Sequence, residues 1–189
     1  RVHGVINQAI EDMARQSGVP DAWELIKRRA GVDIPAFIGM DAYPDCITYQ
    51  LIAAAGEVLG LDHSAVLEAF GEHWLLFTQN SGYAPFLAMA GQNFPELLQN
   101  LEGLHARMRL VMPGIRPPVI RCTVLESSAD GSGALRLAYH SERAGLAPMV
   151  VGLIRGLGRR FGLAVEITHS LVRGAGADHD EFDVAYRAG

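Results

Sequence analysis

The sequence predicts an α+β protein, with an N-terminal helical part followed by a C-terminal antiparallel sheet that carries helices. Apolar residues recur at the helical spacing as far as Val111, and glycines stand where the pattern stops. After Arg116-Pro117-Pro118 the pattern changes to short apolar runs separated by polar loops, which is typical of strands. The chain has 189 residues, of which 49% are hydrophobic and 20% charged, enough for one globular domain with a large core.

Six helices are expected before the strands begin. Gly31, Gly60 and Gly91 are natural helix ends, and Asn93 with Glu96 three residues later resembles a capping box. The expected helices cover Val5–Met13, Ala22–Ala30, Asp45–Leu59, Ser64–Gln79, Ala84–Ala90 and Phe94–Val111. The last of these is expected to be one continuous helix.

The C-terminal part is expected to contain four strands and one helix. A polar loop at Ser127–Gly133 suggests a hairpin between the first two strands, and the helix ends before Gly162. The strands are Val119–Leu125, Ala134–His140, Leu163–Val172 and Glu181–Tyr186, and the helix is Ala147–Phe161.

Charge and composition exclude several classes of function. The net charge of −5 without a long basic run argues against a nucleic-acid binder. No apolar run is long enough for a membrane span, and no signal peptide fits the first residues, so we expect a cytoplasmic protein. Cys46 and Cys122 form no C-x-x-C pair, and C-x-x-C-H is absent, which argues against covalent haem attachment.

His105 is the first residue that could carry chemistry. It shares a helical face with Leu101 and Met108, so it is expected to point into apolar surroundings. A core histidine bonded to a backbone carbonyl is one interpretation. An axial ligand of a gas-binding haem is the other, because neutral imidazole is the usual proximal ligand.

A second signal is the segment that carries Tyr139, Ser141 and Arg143. These three residues alternate along a strand, so their side chains are expected to point to one face. Two hydroxyls and a guanidinium suit carboxylates, since arginine forms charge-assisted pairs with them. A solvated strand face is the alternative interpretation.

These motifs together resemble the haem-nitric oxide/oxygen binding (H-NOX) family, including the sensor domain of the soluble guanylate cyclase β subunit and its bacterial stand-alone members. The resemblance covers nearly the whole chain as a single domain, 1–189, with a helical part at about 1–65 and a haem-holding part at about 66–189. The matching segments are Gly4-Val5-Ile6-Asn7, Leu98-Gln99-Asn100-Leu101, Leu104-His105, Arg116-Pro117-Pro118, Arg121-Cys122-Thr123, Tyr139-His140-Ser141-Glu142-Arg143 and Gly176-Ala177-Asp178-His179.

The resemblance implies a non-covalent haem b buried between the two parts, with His105 as the iron ligand. Pro118 would press on the porphyrin and distort it, and Asp45 would orient the arginine that holds the propionates. Tyr139, Ser141 and Arg143 would bind the propionates. The remaining haem contacts would come from Leu101, Leu104, Ile6, Trp74 and Met149.

The resemblance also implies a gas sensor and not an enzyme. Oxygen-binding members have a distal tyrosine where this chain has Met149, which cannot donate a hydrogen bond, so we expect NO and CO binding and exclusion of O₂. Trp74 or His3 could still supply a donor. NO binding is expected to release His105 from the iron. The signal is expected to reach a partner in trans, such as a histidine kinase or a cyclic-di-GMP enzyme, because no effector segment follows in this sequence.

Two functions remain as alternatives. His105 could be a general base of an enzyme, although the sequence lacks G-x-S-x-G and H-E-x-x-H motifs. The chain could also be a haem-free domain that binds a small ligand or a protein.

The structural zinc of some family members is not expected here. Val172 and Asp180 stand where thiolates would be needed, which leaves His169, His179 and Asp180 as a weak set of ligands.

Overall fold

The computed structural model describes residues 1–112, 114–174 and 176–189. It confirms the α+β class. The helices are α1 Gly4–Gln16, α2 Ala22–Ala30, α3 Asp45–Leu59, α4 His63–Gln79, α5 Ala84–Ala90, α6 Phe94–Gln99, α7 Leu101–Val111 and α8 Ala147–Arg160. The strands are β1 Val2–His3, β2 Ala42–Tyr43, β3 Val119–Ser127, β4 Gly133–His140, β5 Leu163–Leu171 and β6 Asp180–Ala188.

The expected single helix Phe94–Val111 is wrong, because Asn100 separates α6 from α7. The Asn100 side-chain amide donates to the Ala90 carbonyl at 2.8 Å, which ties this turn to the end of α5. The predicted cap at the start of α6 is confirmed, since the Asn93 side chain accepts from the Glu96 backbone N–H at 3.0 Å. The helix that begins after this break, α7, carries His105.

The main sheet has the strand order β3-β4-β6-β5, and every neighbouring pair is antiparallel. In this sheet Tyr139 at the end of β4 pairs with Asp180 at the start of β6. A separate short sheet pairs β1 with β2 ahead of α1. The register therefore brings two distant segments, around 140 and around 179, to the same corner of the main sheet.

Helix α8 packs closely against α4 through glycines. A β-carbon at Gly71 would fall on the Met149 carbonyl oxygen, and one at Gly152 would fall on the Glu68 carbonyl oxygen. The ion pair between Arg155 and Glu68 also joins the two helices. These contacts fix the position of Met149 relative to α4.

Two hydrophobic clusters form the core. The N-terminal cluster packs α1 to α3 and the first half of α4 around residues such as Ile10, Leu51 and Phe70. The C-terminal cluster packs α6, α7, α8 and one face of the main sheet around residues such as Leu97 and Phe182. In the described ranges, no helix combines the length and apolar character required to cross a membrane.

Candidate functional site

A cavity of about 310 Å³ lies between the two clusters and is lined mostly by apolar side chains from both. Ligand cavities in proteins commonly measure roughly 300–1,000 Å³. The ten residues expected to hold the haem all line this cavity: His105, Tyr139, Ser141, Arg143, Pro118, Ile6, Trp74, Met149, Leu101 and Leu104. The sequence therefore identified residues that the fold brings to one place from six separate segments.

His105 is held by the chain thirteen residues further on. Its Nδ1 lies 3.0 Å from the Pro118 carbonyl oxygen. A carbonyl can only accept, so Nδ1 carries the proton of this hydrogen bond, which leaves the Nε2 lone pair free. Burial lowers the pKa of His105 below its ordinary value of 6.5, which keeps the imidazole neutral at pH 7. An oriented neutral imidazole with its second nitrogen free is the form that binds a metal ion.

The polar side of the cavity differs in one respect from the expectation. Strand β4 ends at His140, where the expected strand also ended. The prediction that Ser141 and Arg143 alternate with Tyr139 along a strand is therefore wrong. They reach the cavity from the turn after the strand, where the Ser141 hydroxyl accepts from the Arg143 backbone N–H at 3.1 Å. Tyr139 is buried, and burial raises the pKa of its hydroxyl above 10.0, so it stays a neutral donor.

The Arg143 guanidinium is held at the edge of the cavity by an ion pair and by a backbone carbonyl. Its Nε lies 3.3 Å from Oδ2 of Asp45, which is the orientation expected for this carboxylate. Its Nη1 donates to the Arg116 carbonyl oxygen at 3.2 Å. These contacts join the turn after β4 to α3 and to the segment before β3. The guanidinium is therefore held in place at the polar end of the cavity.

The wall built by α1, α4 and α8 carries Ile6, Trp74 and Met149. The Trp74 ring stacks on Phe77, with ring centroids 6.0 Å apart and planes inclined by 25°. His3 also lines the cavity, and only 7% of its surface is exposed. The Met149 thioether has no hydrogen-bond donor to offer from this wall.

Several lining residues were not identified from the sequence. Tyr49 lies four residues after Asp45 on α3, a spacing that could have placed it on the same helical face. Tyr83 precedes α5, and its hydroxyl lies 3.8 Å from the Met112 sulfur. No local pattern marks Tyr83, because only the packing of α5 against α7 brings it to the cavity.

The weak set of ligands that the sequence left for a zinc ion, at His169, His179 and Asp180, does not converge. His169 Nε2 lies 2.8 Å from Asp180 Oδ1, and the His169 ring stacks on the buried Phe182. His179 instead contacts Asp178 and Glu181. Successive residues of an extended chain point to opposite faces, so His179 and Asp180 lie on different faces of the sheet.

The cavity suits a flat apolar group with acidic substituents and a metal centre. It offers an apolar interior, one oriented neutral imidazole, and a guanidinium with two hydroxyls at one end. These are the features that a non-covalent haem requires. The residues present therefore fit a haem.

Comparison with known proteins supports this interpretation. The sequence model of the haem-NO-binding family (HNOB) matches residues 3–169. The β-2 subunit of rat soluble guanylate cyclase is 36% identical over 97 residues, which cover 51% of this chain and 14% of the relative. The soluble guanylate cyclase gcy-35 of Caenorhabditis elegans is 28% identical over 165 residues, covering 84% of this chain and 23% of the relative. The chain thus spans about a quarter or less of the length of these relatives.

Solved structures show the same fold. A mutant H-NOX protein from Shewanella oneidensis in the Fe(II) ligation state has a TM-score of 0.86 at 18% identity, with 98% of this chain and 96% of that chain covered. The H-NOX protein of the same organism in the Fe(II)NO state has a TM-score of 0.84 at 18% identity, covering 98% and 99%. The match of the family's sequence model over most of the chain, together with this fold, shows that the protein belongs to the H-NOX family of haem-based gas-sensor domains.

Proposed function

We propose that the domain binds haem b non-covalently, senses NO and CO, excludes O₂, and signals to a partner in trans through release of His105. The hydrogen bond from His105 Nδ1 to the Pro118 carbonyl carries this proposal, because it leaves Nε2 available in the cavity. When bound, the haem supplies a ferrous iron with an open position for a diatomic gas. The role is regulatory and not catalytic.

The polar end of the cavity would hold the haem carboxylates. Arg143 supplies the positive charge there, and Asp45 with the Arg116 carbonyl keeps its guanidinium in position. Tyr139 and Ser141 supply neutral donors beside it. Charge-assisted bonds of this type are about twice as strong as neutral ones, so Arg143 should contribute most to retention.

Gas selectivity would depend on the opposite wall. Met149 faces the cavity from α8 with a side chain that lacks a donor, and Ile6 adds another apolar contact from α1. NO and CO need little help from a donor, whereas O₂ needs a hydrogen bond to its outer atom. The lack of a donor at Met149 therefore favours NO and CO.

The signal would start on α7. His105 lies in this helix, and its imidazole links α7 to the segment that leads into β3. Release of His105 from the iron would remove the link between the cofactor and α7, and α7 would then be free to shift relative to the helices of the N-terminal cluster. A two-state change in packing of this kind would be read by a partner such as a histidine kinase or a cyclic-di-GMP enzyme.

A substitution at His105 tests the proposal. In the ferrous protein His105→Gly should lose its CO-binding five-coordinate haem, and added imidazole should restore it, because imidazole replaces the missing ligand. The visible spectrum with and without CO and imidazole is the measurement. His169→Gln, which changes a histidine on β5 that does not line the cavity, is the control and should leave the spectrum unchanged.

The alternative is a haem-free domain that binds another small ligand or a protein. A wild-type protein that remains colourless after haem supplementation would favour this alternative. An unchanged spectrum of His105→Gly would leave haem binding intact but reject His105 as the ligand.

A further inference from the structure

A cluster of metal-ligating side chains lies on the face of the main sheet that points away from the cavity. His140 at the end of β4 and His179 just before β6 stack with ring centroids 4.3 Å apart and planes inclined by 20°. Asp178 Oδ1 lies 2.6 Å from Nδ1 of His179. One possible ligand atom from each of the three residues lies within 4.8 Å of the others. We propose that His140, Asp178 and His179 bind a divalent transition-metal ion of the zinc class.

The ligand types suit such an ion. Two imidazoles and one carboxylate are common zinc ligands, and a fourth position would go to water. At zinc–ligand distances of about 2.0–2.2 Å, tetrahedral ligand atoms are roughly 3.3–3.6 Å apart. The 2.6 Å between Asp178 Oδ1 and His179 Nδ1 must therefore widen, and the His140 nitrogen, which lies within 4.8 Å of both, must settle into the same range. The two rings must also rotate out of their stack so that their lone pairs converge. The χ2 torsion of histidine has a broad energy well, which makes this rotation easy.

Glu181 provides the support that metal-bound histidines usually have. Its Oε1 lies 3.3 Å from Nε2 of His179, on the side of the ring opposite Nδ1 and Asp178. If Nδ1 of His179 binds the ion, the Nε2 proton can be donated to Glu181. A carboxylate on the second nitrogen fixes the tautomer and makes the imidazole a better ligand. The cluster thus contains three ligands and one orienting group.

This site is separate from both the cavity and the pair formed by His169 and Asp180. His140 lies between Tyr139 and Ser141 in sequence, but Tyr139 is buried on the cavity side of the sheet, and adjacent strand residues point to opposite faces. Asp180 is buried on the cavity side as well, where it contacts the half-buried His169. The ion would therefore bind on the outer face.

The site has a structural connection to the polar end of the cavity. Arg173, before the loop that carries Asp178, donates from Nη1 to the Ser141 carbonyl at 2.7 Å and to the Arg143 carbonyl at 3.3 Å. A metal ion held by His140 and the loop would add a second link across the same junction. Metal binding should therefore stabilise the turn that carries Ser141 and Arg143.

Zinc binding by the holoprotein tests the proposal. The tag-free protein would be treated with a chelator, dialysed against zinc sulfate and analysed for metal content. One equivalent of zinc should bind to the wild type, and His140→Gln and His179→Gln should each bind it at least about 10- to 100-fold more weakly. Glu181→Gln should weaken binding by about tenfold while the stoichiometry at saturation stays the same.

His169→Gln is the matched control, because it changes a nearby histidine on the opposite face. It should keep the wild-type zinc affinity. Absence of zinc binding at micromolar concentrations would overturn the proposal, and so would loss of binding in His169→Gln with retention in His140→Gln. If a histidine variant does not fold, X-ray absorption at the zinc edge of the wild type decides. Two imidazoles with oxygen ligands support the site, whereas a sulfur shell or no imidazole rejects it.

Discussion

His105 Nδ1 lies 3.0 Å from the Pro118 carbonyl oxygen, and the side chains of both residues line the same cavity. The proline carbonyl orients the imidazole, while its ring contributes to the wall beside it. One residue thus combines a hydrogen-bond acceptor with a rigid contact surface. These two roles can be separated by substitution, because every residue has a backbone carbonyl and only proline has the ring.

Pro118→Ala should keep His105 in place but remove the rigid ring. Iron ligation should survive, so the ferrous protein should still bind CO, while resonance Raman bands that report out-of-plane porphyrin distortion should weaken. Pro95→Ala, at the start of α6, is a control that should change neither property. Loss of CO binding in Pro118→Ala would show that the ring, and not only the carbonyl, is needed to hold His105.

Met149→Tyr should introduce a hydrogen-bond donor into the wall formed by α8. Because O₂ gains from a donor that Met149 lacks, the ferrous variant should show a reversible Soret shift on exposure to O₂ that the wild type does not show. Met149→Phe is the matched control, since it adds a ring of similar size without the hydroxyl. Equal responses of the two variants would attribute the effect to shape and not to the donor.

The helices were easier to predict than the contacts between distant segments. Three of them, α2, α3 and α5, have the bounds expected from their apolar spacing and end next to glycines. The break at Asn100 was missed because it depends on a bond to Ala90 in another helix, and propensity alone disfavours asparagine only mildly.

The candidate site shows the same division between local and non-local information. Its lining residues were identified through family motifs, but Tyr139, Ser141 and Arg143 were expected to alternate along one strand, and Ser141 and Arg143 lie beyond the strand's end at His140. The meeting of His140 with His179 depends on the pairing of Tyr139 with Asp180, which no local pattern reveals. Strand pairing between distant segments is decided by the whole fold.

Gly71→Ala should destabilise the protein, because the added methyl group would overlap the Met149 carbonyl where α4 and α8 cross. Overpacking of this kind costs about 1–3 kcal/mol. Gly103→Ala is the matched control: it lies in α7 with open space around its β-carbon position, and alanine there should stabilise by about 0.5–1 kcal/mol. Urea unfolding followed by circular dichroism measures both, and equal effects would contradict the role of the close helix crossing.

The two cysteines should differ in reactivity toward a thiol-alkylating reagent. Burial raises the pKa of the Cys122 thiol from 9.0 to about 11, whereas Cys46 is exposed at the start of α3. Only the thiolate reacts with the reagent. Because pH 7.5 lies about 3.5 units below the pKa of Cys122, this thiol should be almost inert there, and Cys46 should be labelled first. Labelling of Cys122 should become faster as the pH rises toward 11 or when urea unfolds the chain. Mass spectrometry of the labelled peptides distinguishes the two cysteines, and Cys46→Ser is the control. Rapid labelling of Cys122 in the folded protein at pH 7.5 would contradict its burial beside the C-terminal cluster.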